Sequence, residues 1–170
     1  MLVKRIARFN MLLAPGLFLL LLPPVVAQNA MAPGRPPDNH ELITIKQGIW
    51  GNVWLWQGDF MPGPGSAKRG KVTAVCREVR IYKPTSMNML EPLGGTNFTK
   101  VRSKLVKKVK SGKNGFFQVS LPPGQYSVFV KEDSTLYANW FDGQGNVLPV
   151  TVVKDSVTNF QINLTYGAVF

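Results

Sequence analysis

The chain has a single cysteine, Cys76, so no internal disulfide can form and stability must come from packing alone in whatever compartment it enters. It has a single histidine, His40, in a proline-containing lead segment. That is too little for a His/Cys metal set or a nucleophile–histidine pair. Acidic residues are scarce, nine against 20 lysines and arginines. They are also scattered, with Asp59 and Asp142 in turn-like sequence and Glu78 beside arginines, so a glycosidase-type pair of carboxylates is not expected. No Gly-Lys-Ser/Thr follows the glycine-rich stretch near residue 60, which removes a nucleotide loop, and no cofactor signature is present. Long apolar runs are missing too. Met11 to Leu22 is twelve residues, broken by Pro15 and Gly16, against roughly 20 needed to span a bilayer.

What surrounds that run has a meaning of its own. Lys4, Arg5 and Arg8 precede it and Pro23-Pro24-Val25-Val26-Ala27 follows, the three-part layout of a secretory signal peptide cut after Ala27. A retained anchor is the competing reading, and the brevity of the run argues against it. No cysteine follows the run, so a lipid-attached product is not expected. Removal of residues 1–27 leaves 143 residues with 17 basic and nine acidic side chains, a net charge of +8 and room for one domain. The mature chain is expected to be secreted or periplasmic, with no membrane span. Residues 28–47, with Pro33, Gly34, Pro36 and Pro37, read as a flexible linker, and residues 48–170 as one β domain.

Period-two alternation is the dominant pattern of that domain. Phe117, Val119 and Leu121 alternate with Gln118 and Ser120, after a turn signal at Asn114-Gly115. Pro122-Pro123-Gly124 closes this strand and turns the chain into the next, where Tyr126, Val128 and Val130 share one face. Tyr126 stands at the corner, its hydroxyl within reach of nearby backbone, as in the tyrosine corner of Greek-key sandwiches. Ile49, Gly51, Val53 and Leu55 alternate with Trp50, Asn52, Trp54 and Trp56, and Phe160, Ile162 and Leu164 with Gln161, Asn163 and Thr165. Two Gly/Pro-containing segments, Gln57 to Gly70 and Lys83 to Phe98, read as long loops. The expected fold is an antiparallel Greek-key β-sandwich of about seven strands, without helices of ordinary length.

The run Asn114-Gly115-Phe116-Phe117, followed by Leu121-Pro122-Pro123-Gly124-Gln125-Tyr126 and an apolar strand, resembles the signature of carboxypeptidase regulatory-like domains of the transthyretin (prealbumin-like) fold. Gly48 to Val53, Val79 to Tyr82 and Val150 to Leu164 extend the resemblance in order, over roughly residues 48–166. The Gln57 to Gly70 stretch departs from it, standing where a simple member has a brief turn. Such a resemblance implies a sandwich of about seven strands without catalysis of its own, and no particular ligand.

Three surface features are candidates for binding. The Gln57 to Gly70 loop either acts as a recognition element, as loops on a rigid sandwich often do, or only spaces two strands. Trp50, Trp54 and Trp56 fall on one face of one strand, where they either pack beneath a loop or form a stacking platform for sugar rings, with Asn52, Gln57 and Asp59 supplying hydrogen bonds. From Thr99 to Lys113 there are seven basic residues and no acidic one, and Lys104, Lys108 and Lys110 are expected to face water with Leu105 and Val109 inward. The lysines either guard an exposed sheet edge or bind a polyanion. Nucleic acid is not the expected partner, because the patterns of dedicated binding modules are missing. The expected function is therefore non-enzymatic: an interaction or structural module of the cell envelope that takes an acidic polymer or a protein partner. A carbohydrate-binding module built on the tryptophan face is the alternative. Cys76 is expected to be a small sheet residue.

Overall fold

Two long strands organise the domain, and each is written in the sequence by alternating apolar residues. β1 (Gly48–Asp59) carries Ile49 and Val53 inward, and β8 (Gly124–Glu132) carries Tyr126, Val128 and Val130 inward. The computed structural model describes residues 39–63 and 70–170; the expected signal peptide 1–27, residues 28–38 of the expected linker, and residues 64–69 of the expected Gln57 to Gly70 loop lie outside the described residues.

The first sheet has five strands with β1 at its centre. On one edge of β1 lie β7 (Phe116–Ser120) and β2 (Gly70–Ala74) end to end, both antiparallel to it. On the other edge lie β11 (Val157–Asn159) and β12 (Ile162–Val169), both parallel to it. The second sheet has seven strands and is antiparallel throughout. Its order is β4 (Leu90–Gly94), β5 (Asn97–Val101), β9 (Thr135–Tyr137), β8, β3 (Glu78–Tyr82) and β6 (Leu105–Lys110), with β10 (Pro149–Val152) also on β8. The protein is thus an all-β sandwich, as the alternation predicts. Its twelve strands exceed the expected seven because both long strands take two short partners in tandem along an edge.

The break between β11 and β12 has a visible cause. Phe160 donates its N–H to the Trp50 carbonyl, and its own carbonyl passes so close to Gly51 that a Cβ there would stand 1.9 Å from it. Only glycine admits that approach.

The core between the sheets contains Ile49, Val53, Phe117, Val119, Ile162 and Leu164 from the first sheet and Val79, Ile81, Val128, Val130, Val150 and Val152 from the second. A second cluster, Tyr82, Leu90, Phe98, Phe129, Leu136, Ala138, Val147 and Leu148, covers the far face of the second sheet. Phe129 alternates with Val128 and Val130, so it points away from the first core, and Tyr82 and Phe98 meet it edge-on at 5.4 and 6.4 Å. Each such fully buried side chain contributes roughly 1.5–3 kcal/mol. The cover over this far face comes from Leu90 and Phe98 of the excursion after β3 and from Leu136, Ala138, Val147 and Leu148 of the excursion after β8. Lys83 to Phe98, expected as a loop, contains a short 3-10 turn (Met87–Met89), all of β4 and the start of β5. The Gln57 to Gly70 loop is likewise shorter than expected, since Gln57, Gly58 and Asp59 continue β1 and pair with β2 and β12.

The corner after β7 forms as its residues require. Phe117 and Leu121 are buried, the chain turns at Pro122-Pro123, and β8 starts at Gly124. Tyr126 is buried and donates its hydroxyl to the Pro122 carbonyl at 2.9 Å. Gly115 has φ +79°, and its carbonyl accepts the Val53 N–H at 3.0 Å, which ties the turn before β7 to β1.

Residues 39–47, expected within the flexible linker, are held to the first sheet. Gln118 accepts the Thr44 N–H at 2.9 Å and donates back to the Thr44 hydroxyl, Gln47 donates to the Leu121 carbonyl, and Asn39 donates to Asn52 at 2.6 Å. Polar side chains make these ties, so apolar periodicity carries no trace of them.

Candidate functional site

β6 is the last strand of the second sheet, so one of its edges is open. Pairing with β3 skips from Ile81↔Lys107 to Tyr82↔Leu105, which leaves Val106 as an extra residue. This bulge resets the alternation. Val106 and Val109 therefore pack on the core, whereas Leu105, expected inward, is 37% exposed. Lys104, Lys107, Lys108 and Lys110 are all exposed. The offset puts Leu105, rather than Lys104, on the side of Lys108 and Lys110. Lys107 turns to the seam between the sheets, where its Nζ donates to the Ser120 carbonyl at 3.3 Å.

Across β3 from Lys108 and Lys110 stand Arg80 and Glu78, and beyond Glu78 on β8 stands Lys131. Glu78 accepts from Arg80 Nε at 2.6 Å, and this bond, aided by Lys108 and Lys131, holds its carboxyl below the usual carboxylate range. The one acid beside the lysine row is thus engaged by an arginine. Farther along, Arg77, Lys110 and Lys131 share an open basin with Glu78, Glu132 and Asp133, so positive charge is balanced there. The lysines outside that basin, Lys104, Lys107 and Lys108, lie along the rest of the edge, with Lys107 on the opposite face from Lys108. At about 3.3 Å per residue the edge from Lys104 to Lys110 is roughly 20 Å long.

The tryptophans of β1 are placed differently from a stacking platform. Trp50 and Trp54 are 4% and 2% exposed, so neither offers a ring face to solvent. His40 meets Trp50 edge-on at 5.4 Å, and Trp54 donates its indole N–H to Gln161 at 3.2 Å. Trp56 is half-buried, 4.9 Å from the Phe60 ring, and donates to Asn163 at 3.0 Å. The lead segment and the β11–β12 connection cover this face. Asn52 is buried rather than available to a ligand, and Asp59 accepts the Met61 N–H at the end of β1. The structure does not bring Asp59 together with the lysine row. The large exposed indole is Trp140, which the alternation of β1 gave no reason to select.

Cys76 lies between β2 and β3, half-buried, and donates its thiol to the Ser111 carbonyl at 2.9 Å. Glu132 pairs with Arg77 at 2.6 Å and Glu91 with Arg102 at 3.1 Å. Among the described residues no group of three or more His, Cys, Asp or Glu could hold a metal ion, and no helix is long and apolar enough to cross a membrane. Set against family models, curated proteins and solved structures, the chain matches none.

Proposed function

We propose that this protein is a non-enzymatic β-sandwich module of the carboxypeptidase regulatory-like kind, which works outside the cytoplasm and binds a linear acidic polymer of the cell envelope along β6. The observation that carries the reading is the edge row Lys104, Lys107, Lys108 and Lys110, exposed along an open strand whose acidic neighbour Glu78 is occupied by Arg80. Cations spread over both faces of one open strand edge suit an extended polyanion better than a compact anion. The same lysines oppose pairing of the edge with another strand. The tyrosine corner and the order of the strands support the family resemblance, and the signal-like residues 1–27 support export.

The test uses residues 28–170 with alginate, polygalacturonate and neutral dextran as probes, by calorimetry at 20 and 300 mM salt. Screening lengths shrink from roughly 20 Å to below 8 Å over that range, so binding through exposed lysines should weaken at least tenfold. It should also be lost in the Lys108→Glu/Lys110→Glu double variant. Absent binding, or binding indifferent to salt, would refute the reading.

A further inference from the structure

A second recess differs from the lysine row in having no charged side chain in its lining. It lies between β12 and the excursion after β9, has a volume of about 330 Å³, and is bounded by Asn139, Trp140, Leu148, Gln161, Asn163 and Thr165. In a chain with 29 charged residues an uncharged recess of this composition narrows the ligand to a neutral one. Its size falls in the ordinary range for small-molecule sites, roughly 300–1,000 Å³. Trp140 is 52% exposed and presents indole surface to it.

The three amides of the recess are each fixed in orientation by partners that can act in only one way. Gln161 Oε1 accepts from the Asn52 N–H, from Asn52 Nδ2 and from Trp54 Nε1, all at 3.2 Å. Asn163 Oδ1 accepts from Trp56 Nε1 at 3.0 Å. Asn139 Nδ2 donates to the Asn163 carbonyl at 3.0 Å and to the Thr165 hydroxyl at 3.1 Å. An indole N–H only donates and a backbone carbonyl only accepts, so none of these amides can flip without losing its bond. Gln161 Nε2 spends one hydrogen on Asn159 at 2.7 Å and keeps the other. Among the described residues, Asn163 Nδ2 and Asn139 Oδ1 have no partner, so the recess presents oriented donors and an acceptor together.

The segment bearing Trp140 is also held firmly. Its carbonyl accepts the N–H of Leu148, a buried leucine at φ +38°, and the Asp142 carboxylate accepts the Gln144 and Asn146 N–H groups at 2.9 and 2.8 Å. Backbone held in this sparsely populated region clusters at binding sites.

We propose that this recess binds a sugar ring of a neutral polysaccharide. Trp140 stacks on the apolar face of the ring, and the free groups of Asn139, Gln161 and Asn163 bond its hydroxyls, which both donate and accept. The site differs from the β1 tryptophan platform in both residues and position, and it stands apart from the lysine row.

The experiment is a fluorescence and calorimetric titration of residues 28–170 with cellohexaose, laminarihexaose and mannohexaose at 20 and 300 mM salt, with an unmodified peptide library as comparison. Binding of at least one hexasaccharide is expected, with a blue-shifted emission and less than a twofold effect of salt. Trp140→Ala should weaken it at least tenfold. Asn163→Asp keeps an oxygen for Trp56 and removes the free donor, and should weaken it severalfold with an unchanged circular dichroism spectrum. The Lys108→Glu/Lys110→Glu variant should bind the sugar as the parent does. No sugar binding at millimolar concentration, capture of peptides instead of sugars, or full binding by Trp140→Ala would overturn the proposal.

Discussion

Replacing Tyr126 by phenylalanine removes one oxygen and nothing else from the corner that joins β7 to β8. The ring is 2% exposed, and Lys83 Nζ lies 5.5 Å from its centroid, a contact that phenylalanine keeps. What is lost is the bond to the Pro122 carbonyl at 2.9 Å. Pro122 is itself exposed, so its freed carbonyl can take a water. The loss should then be that of an ordinary hydrogen bond, about 1 kcal/mol, not the roughly 1–3 kcal/mol of a buried group left unsatisfied. For a domain of this size that is a fall in Tm of about 3 °C. Tyr126→Ala removes the ring as well and should cost about 3–5 kcal/mol, as other buried aromatics do. Urea denaturation followed by tryptophan emission measures both, because buried Trp50 and Trp54 report unfolding directly. A midpoint shift with an unchanged slope is expected for Tyr126→Phe. A loss above 3 kcal/mol would mean that the hydroxyl holds the two sheets in register, and no loss would mean that the corner is set by Pro122-Pro123 alone.

Gly51→Ala should be the most damaging small substitution, costing more than about 3 kcal/mol or preventing folding, because its Cβ would meet the Phe160 carbonyl at 1.9 Å; soluble yield and denaturant midpoint report it. Gly115→Ala is milder, about 2 kcal/mol, since φ +79° strains an L-residue by roughly 1–2 kcal/mol and the Val53 carbonyl stands 2.8 Å from the new Cβ. The Asp142 carboxyl is held below its ordinary value chiefly by the Asn146 side chain, with backbone N–H groups adding to it. A depressed carboxyl stabilises the fold above its unfolded pKa and loses that contribution as pH falls through the folded value, so the turn 142–146 should loosen below about pH 4, and Asp142→Asn should remove this acid dependence. Carboxyl titration by NMR checks the direction. Glu78 should titrate below the usual range as well, and Arg80→Met should return it upward.

The parts of the fold legible in the sequence are those set by apolar alternation and turn chemistry. Ile49, Val53, Phe117, Val119, Val128, Val130, Ile162 and Leu164 all reach the core that their spacing assigns, and Tyr126 makes its corner. Three things escaped for separable physical reasons. The bulge at Val106 changes phase within one strand, so Leu105 and Val106 exchange faces although the local pattern is unchanged. β4 and the start of β5 include Pro92, Gly94 and Asn97, residues that spell a loop, yet they form a hairpin because Leu90 and Phe98 join the second cluster. The lead segment 39–47 is tied by Asn39, Thr44 and Gln47, and polar ties have no period.

The candidate sites divide along the same line. The exposure of Lys104, Lys108 and Lys110 was legible, but their sharing of one face was not, because the Val106 bulge takes Lys104 off the side of Lys108 and Lys110; the tryptophan row misled because exposure depends on what crosses it. Three indoles at even spacing must share a face of a strand, but the β11–β12 connection lies over that face and its Gln161 side-chain carbonyl collects both Asn52 and Trp54. Burying Trp54 and orienting Gln161 are consequently one event, and the polar bond that closes the expected platform also fixes the amide of Gln161, which lines the Trp140 recess. Trp54→Phe separates the two consequences, because it preserves most of the buried ring while releasing one of the three donors on Gln161. It should lower stability by about 2 kcal/mol or more, the lost bond plus the cavity left by the smaller ring, and leave Gln161 held by Asn52. If binding at the recess survives that change and fails in Trp140→Ala, the buried indole is scaffold and the exposed one is contact.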